Sequence, residues 1–214
     1  FASLFNSRAI SYRKTNNINF EDVKISVGVQ KMVRSDIGSA GVSFSIDPET
    51  GYNKAIVINS AFGLGELVVS GGVKPDEFIV DKRTVGSTIQ DPILSKQLGE
   101  KFTKIVYSED GVKEIKTGKN EIKQFSLTIT QIKELAFYVK QLEKEYSLMF
   151  NKNMGVDVEW ALDGLDNKLY IIQTRPETVH NNKTNILKKY KLLKKGKKII
   201  SGVAVGEKIS QGKI

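Results

Sequence analysis

The sequence predicts an α+β domain, mainly antiparallel sheet with a long packing helix, and three observations carry that expectation. In residues 129–150, Ile129, Ile132, Leu135, Ala136, Val139, Leu142, Tyr146 and Met149 recur at helical spacing, with Lys133, Glu134, Lys140, Glu143 and Lys144 on the opposite face. Residues 155–162 alternate with period two, and after a turn at Asp163–Lys168 the apolar, β-branched run Leu169–Thr174 reads as the returning arm of a hairpin. Residues 101–107 and 112–116 flank Asp110-Gly111 in the same way. Hairpins joined by short turns imply antiparallel pairing, and the long apolar stripe implies a helix laid on the sheet.

In chain order, residues 1–13 place Phe1, Leu4, Phe5, Arg8, Ala9 and Tyr12 at helical spacing, and Asn16–Asn19 ends that element. Val23–Val33 is β-rich, with Val23, Ile25, Val27, Val29, Lys31 and Val33 on one parity, and is expected as a strand. Strands are also expected over 38–46 and 55–59, separated by the turn Asp47-Pro-Glu-Thr-Gly51. Short strands are expected over 78–80 and 84–89. The long helix opens with a capping box, Thr128 and, three residues on, Gln131.

Composition narrows the class. The chain has 214 residues, 40% hydrophobic and 27% charged, which suits one substantial core. No apolar run approaches the roughly 20 residues of a membrane span. With no cysteine there is no disulfide or thiolate chemistry, which fits a cytoplasmic protein. The start lacks an initiator Met and an export signal, and it reads as the interior of a longer chain. Of the +9 net charge, eight lysines lie between Lys183 and Lys198 without an acid, so the rest is close to neutral. A lysine run with a single aromatic residue, Tyr190, and no series of aromatic platforms reads as a solvated linker rather than a nucleic-acid surface.

Chemistry concentrates in the hairpin of residues 155–178. If Glu159 faces Gln173, the antiparallel register puts Asp157 opposite Arg175, all four on one face. Taken alone, these residues admit two readings: an ordinary wet sheet face, or a site in which Glu159 and the Gln173 amide oxygen hold Mg²⁺ while Arg175 grips phosphate. The glycine-rich stretch 60–78 lacks both the dinucleotide fingerprint and the P-loop ending, and Glu66 beside Gly65 is placed to reach a ribose hydroxyl or a metal. Alone, a stretch of this kind is more often a structural turn than a nucleotide site. The single histidine, His180, sits at the edge of the linker, where a tethering or incidental role is expected ahead of catalysis.

Five motifs then occur in a fixed order: Ser26–Asp36, Gly63-Leu-Gly-Glu-Leu-Val-Val-Ser-Gly71, Pro75-Asp-Glu-Phe78, Asp157-Val-Glu-Trp-Ala161 and Ile172-Gln-Thr-Arg-Pro-Glu-Thr178. In that order the chain resembles the phosphoenolpyruvate synthase family over nearly its whole length. The resemblance implies an ATP-grasp-like fold, with residues 1–180 the carboxy-terminal portion of a nucleotide-binding domain, 181–197 a basic linker, and 198–214 the truncated start of a swivelling phosphohistidine domain.

It further implies that Gln30, Lys31, Met32 and Val33 meet the adenine through main-chain groups, that Glu66 lies near the ribose, that Glu159 and Gln173 ligate magnesium, and that Arg175 contacts phosphate. The implied reaction converts ATP, pyruvate and water to AMP, phosphoenolpyruvate and phosphate through a phosphohistidine. The lysine and arginine the family sets on the triphosphate, the phosphorylated histidine and the pyruvate-binding barrel are absent from these 214 residues. The piece by itself is therefore expected to be inactive, with pyruvate engaged only through other domains and an oligomer possible. Two alternatives stand beside this: a related phosphohistidine-relay phosphotransferase, such as rifampicin phosphotransferase or pyruvate phosphate dikinase, and a non-catalytic basic binding module.

Overall fold

A computed structural model describes residues 2–177; the basic linker, His180 and the segment 198–214 lie outside the described residues. The chain divides into two compact units, Phe1–Met32 and Val33–Ile214.

In the first unit a short 3₁₀ turn, Ala2–Phe5, precedes α1, Ser7–Thr15, close to the expected helix. Asn6 caps α1 by accepting from the Ala9 N–H at 2.8 Å. Arg13 is buried: its Nη2 donates to the Leu4 carbonyl at 2.7 Å, and its guanidinium lies 5.0 Å from the Phe20 ring centre. The expected strand over 23–33 does not form, and Val29 is 98% exposed. Its alternating valines carry β propensity, but a strand exists only when its N–H and C=O groups find a ladder, and no described strand pairs with this segment.

The second unit holds β1 (Ser39–Phe44), β2 (Ala55–Phe62), the short helix α2 (Glu66–Val69), β3 (Asp76–Asp81), β4 (Ile93–Gln97), β5 (Thr103–Ser108), β6 (Gly111–Lys116), α3 (Lys119–Ile122), α4 (Ile129–Met149), β7 (Val156–Leu162) and β8 (Leu169–Pro176). Six of these strands form one wholly antiparallel sheet in the order β4-β3-β2-β1-β7-β8, and β5-β6 is a separate hairpin. The α+β class and the mainly antiparallel sheet are as expected.

Two local expectations change. Residues 84–89 are a turn rather than a strand: Asp81 takes the Arg83 backbone N–H at 2.9 Å and both guanidinium contacts of Arg83, and Gly86 adopts φ +89°. The strand falls at Ile93–Gln97 instead. It is a sheet edge, exposed beyond Ile93, so it lacks the alternation by which a half-buried strand is read.

Helix α4 begins where the capping box set it, the Thr128 hydroxyl accepting from Gln131 N at 3.3 Å and Gln131 Oε1 from Thr128 N at 2.8 Å. Its stripe buries Ile132, Leu135, Ala136 and Val139 against Ile56, Ile58, Phe78, Val80, Val156, Val158 and Trp160. The stripe's ends stay out of the core, with Ile129 49% and Met149 74% exposed. A 21-residue helix is about 30 Å long, more than strands of six to eight residues can cover.

Candidate functional site

The register of the last hairpin decides what its free face presents. Glu159 pairs with Gln173 and Asp157 with Arg175, which is the register that puts all four on one face. Val156, Val158 and Trp160 point into the core under α4, which leaves the acids on the opposite face. A bulge after Glu159 restarts the pairing at Trp160↔Ile171.

Strand β1 runs alongside, setting Val42 against Glu159 and Phe44 against Asp157, and β2 sets Asn59 against Val42. These strands line an open concavity of about 240 Å³. The lining is polar at Asn59 on β2 and at Asp157, Glu159, Gln173 and Arg175 on β7 and β8, and apolar at Val42 and Phe44 on β1 between them and at the α2 residues Val68 and Val69. That is below the roughly 300–1,000 Å³ of a complete small-molecule pocket, so it amounts to one wall of a site.

Its electrostatics are unbalanced. Arg175 Nε donates to Asp157 Oδ2 at 3.2 Å, but the guanidinium is largely exposed. Asp157 Oδ1 is buried without a hydrogen-bond partner among the described residues. Burial pushes the Asp157 carboxyl above the usual range, the Arg175 hydrogen bond and charge pull it back, and Glu177 adds a further push upward. Burial wins because the arginine's single contact is half spent in water. A carboxylate in that state gains most from a cation that reaches its unpaired oxygen. Asp157, Glu159 and the Gln173 amide oxygen are hard donors, and one or two carboxylates completed by water and phosphate suit Mg²⁺. No cluster of three or more acid or histidine ligands occurs among the described residues, so a metal here needs ligand oxygens to complete its shell.

The other expected site residues are distributed differently. Glu66 opens α2 and is exposed, while Val68 and Val69 of that helix reach the pocket. Gln30, Lys31 and Met32 end the first unit as exposed, non-strand residues, and Val33 opens the second. The structure therefore gathers Glu159, Gln173 and Arg175, and does not add Glu66 to their pocket. The glycine stretch has a structural task as well: Gly63 sits at φ +87°, a Cβ there would come within 2.6 Å of the Ile105 carbonyl, and Leu64 N donates to that same oxygen at 2.9 Å.

Asn59 and the apolar lining residues were not marked as site residues by local pattern. The available signal was Asn59 itself, a residue depleted in strands standing in the run Ala55-Ile-Val-Ile-Asn59.

An antiparallel sheet backed by a long helix, with acids, an amide and a guanidinium on its free face beside apolar lining residues, is the build of an α+β nucleotide-binding domain. The chain belongs to the pyruvate phosphate dikinase, AMP/ATP-binding domain family, which matches residues 1–194. It is 46% identical to phosphoenolpyruvate synthase of Helicobacter pylori, 44% to that of Aquifex aeolicus and 42% to that of Escherichia coli, in each case over 100% of this chain and 28%, 26% and 27% of the relative. The chain thus spans about a quarter of the length of these curated relatives.

Proposed function

We propose that this chain supplies the magnesium- and phosphate-binding wall of the ATP site of a phosphoenolpyruvate synthase, within an ATP-grasp-like domain. The observation that carries the reading is the pairing of Glu159 with Gln173 and Asp157 with Arg175 in one pocket, with a buried Asp157 oxygen left unpaired. Family membership and the synthase relatives support the nucleotide.

In this reading Glu159 and Gln173 hold Mg²⁺, Arg175 binds a phosphate oxygen, Gln30 to Val33 offer main-chain groups to the adenine edge, and Glu66 serves the ribose. Bound Mg²⁺ supplies neutralisation of phosphate charge. The residues themselves position: strands β7 and β8 hold carboxylate, amide and guanidinium at fixed spacing, and the apolar side chains of Val42 and Phe44 keep water from the β1 side. The whole enzyme would convert ATP, pyruvate and water to AMP, phosphoenolpyruvate and phosphate through a phosphohistidine outside this chain, in the cytoplasm.

The test is Mg²⁺-dependent ATP binding by the full-length protein that carries this segment, which Glu159→Gln should abolish. Unchanged ATP affinity in that variant refutes the assignment. The 214 residues alone should be inactive, and pyruvate-dependent AMP formation by them would overturn that. A related phosphohistidine-relay phosphotransferase is the second reading, favoured by the pyruvate phosphate dikinase name of the family; assay of AMP formation with pyruvate and water, against pyruvate and phosphate, separates the two.

A further inference from the structure

One polar residue of the pocket has no part in the reading above. Asn59 lies near the middle of β2, half-buried, paired with Val42 on one side and Glu77 on the other. Its side-chain amide makes no hydrogen bond to a described residue, yet it lines the same pocket as Glu159 and Arg175. Asparagine is a poor strand former, and here it follows the buried apolar run Ala55-Ile-Val-Ile58. The half-buried amide opens on the pocket with no protein partner among the described residues, so its hydrogen-bonding groups are available there to water or a ligand.

Its neighbours decide what it lacks. The row that crosses the sheet reads Gln97, Glu77, Asn59, Val42, Glu159, Gln173. Acceptors are already in surplus there, with Glu77 on one side and Glu159 and Asp157 on the other. What the β2 end of the row lacks is a donor, and the amide carries two N–H groups. Asn59 stands two strands from Glu159, about 10 Å between backbones, too far for its short side chain to share the inner shell of a cation held by Glu159 and Gln173 at about 2.1 Å. It is well placed for an anion that extends from that cation across Val42.

We propose that Asn59 is a further substrate-contacting residue, its side-chain amide donating to an oxygen of the nucleotide's terminal phosphates, so that a polyphosphate chain laid across the strands is held by Arg175 on β8 and Asn59 on β2. The inference rests on the ATP-site reading and adds to it a residue that discriminates nucleotides by phosphate number. AMP, which lacks the terminal phosphates, would not reach it.

The experiment is calorimetric titration of ATP and of AMP, with Mg²⁺ present, into the full-length protein and its Asn59→Leu, Asn59→Asp and Glu159→Gln variants. Loss of a hydrogen bond to a charged group predicts ATP binding about tenfold or more weaker in Asn59→Leu, with AMP affinity retained. Asn59→Asp should be at least as weak, because it exchanges the donor for a negative charge facing phosphate. The proposal is overturned if Asn59→Leu binds ATP as the native protein does, if Asn59→Asp binds it equally well, or if ATP and AMP affinities fall together as a scaffold defect requires. Asn59→Ala, which also lacks a donor, takes the place of Asn59→Leu if the latter does not fold. ATP affinity that survives Glu159→Gln while Asn59→Leu weakens it refutes the magnesium assignment and leaves the Asn59 contact standing; survival in both refutes both.

Discussion

The junction of β3, the segment leading into β5 and the start of α4 is held by a polar network with almost no exposure. Asp76 and Lys101 are both 0% exposed. Asp76 Oδ1 accepts from Lys101 Nζ and from Gly99 N at 2.9 Å, and Oδ2 accepts from Ser126 N and Ser126 Oγ, each at 2.7 Å. Because the Ser126 hydroxyl spends its proton on Asp76, Ser60 is the donor in the 2.7 Å Ser60–Ser126 contact, which ties the network to the residue after Asn59.

Asp76→Ala strands the Lys101 ammonium with only the Gly99 carbonyl, at 3.5 Å, and should cost about 3–5 kcal/mol. Lys101→Met leaves the carboxylate three donors from Gly99 and Ser126 and should cost less, about 1–3 kcal/mol. In the double variant no ammonium is stranded, so it should be no less stable than Asp76→Ala, with a coupling of roughly 1–3 kcal/mol. Urea unfolding followed by fluorescence of the single tryptophan, Trp160, which is 1% exposed in the same unit, measures all three. A cost under about 1 kcal/mol for Asp76→Ala, or strictly additive costs, would refute the view that one carboxylate organises this junction.

Three further expectations follow from particular contacts. Arg34 grips Asp36 with Nε at 2.8 Å and Nη2 at 3.0 Å, and that hydrogen bonding, ahead of opposing burial, holds the Asp36 carboxyl below its ordinary value. The resulting stability is fully present above the ordinary carboxylate pKa and is lost as pH falls through the lowered folded value, so Asp36→Asn should flatten the acid limb of a stability-versus-pH curve; an unchanged limb would contradict this. Leu135→Ala, at a wholly buried position under the sheet, should cost about 2–5 kcal/mol in urea unfolding. Ile129→Ala at the overhanging end of the same stripe should cost under about 1 kcal/mol, and equal costs would show the stripe buried to its end. Gly41→Ala would drive a Cβ into the Asn59 backbone carbonyl where β1 and β2 approach, and should lower stability by more than about 1 kcal/mol; a neutral effect would mean the strands can part there without loss.

What the sequence by itself determined is what short-range periodicity can encode. The alternation of Val156, Asp157, Val158 and Glu159 was enough to put the acids on one face and Val158 and Trp160 on the other, but the turn with Leu162↔Leu169 would by itself carry Glu159 to Ile172, and it is the bulge after Glu159 that brings Gln173 opposite it. The Thr128–Gln131 box and the stripe behind it likewise determined the start and buried face of α4. Tertiary structure alone decided the rest. Nothing local distinguishes Val23–Val33, which has strand residues and no strand partner among the described residues, from Ala55–Phe62, which has two. Nor does any local pattern state that β1 lies between β2 and β7, yet that order is what carries Asn59, Val42 and Phe44 to the same pocket as Glu159. Strand neighbours are chosen by hydrogen-bond ladders and burial between segments far apart in the chain, and their free energy belongs to the pairing rather than to either segment.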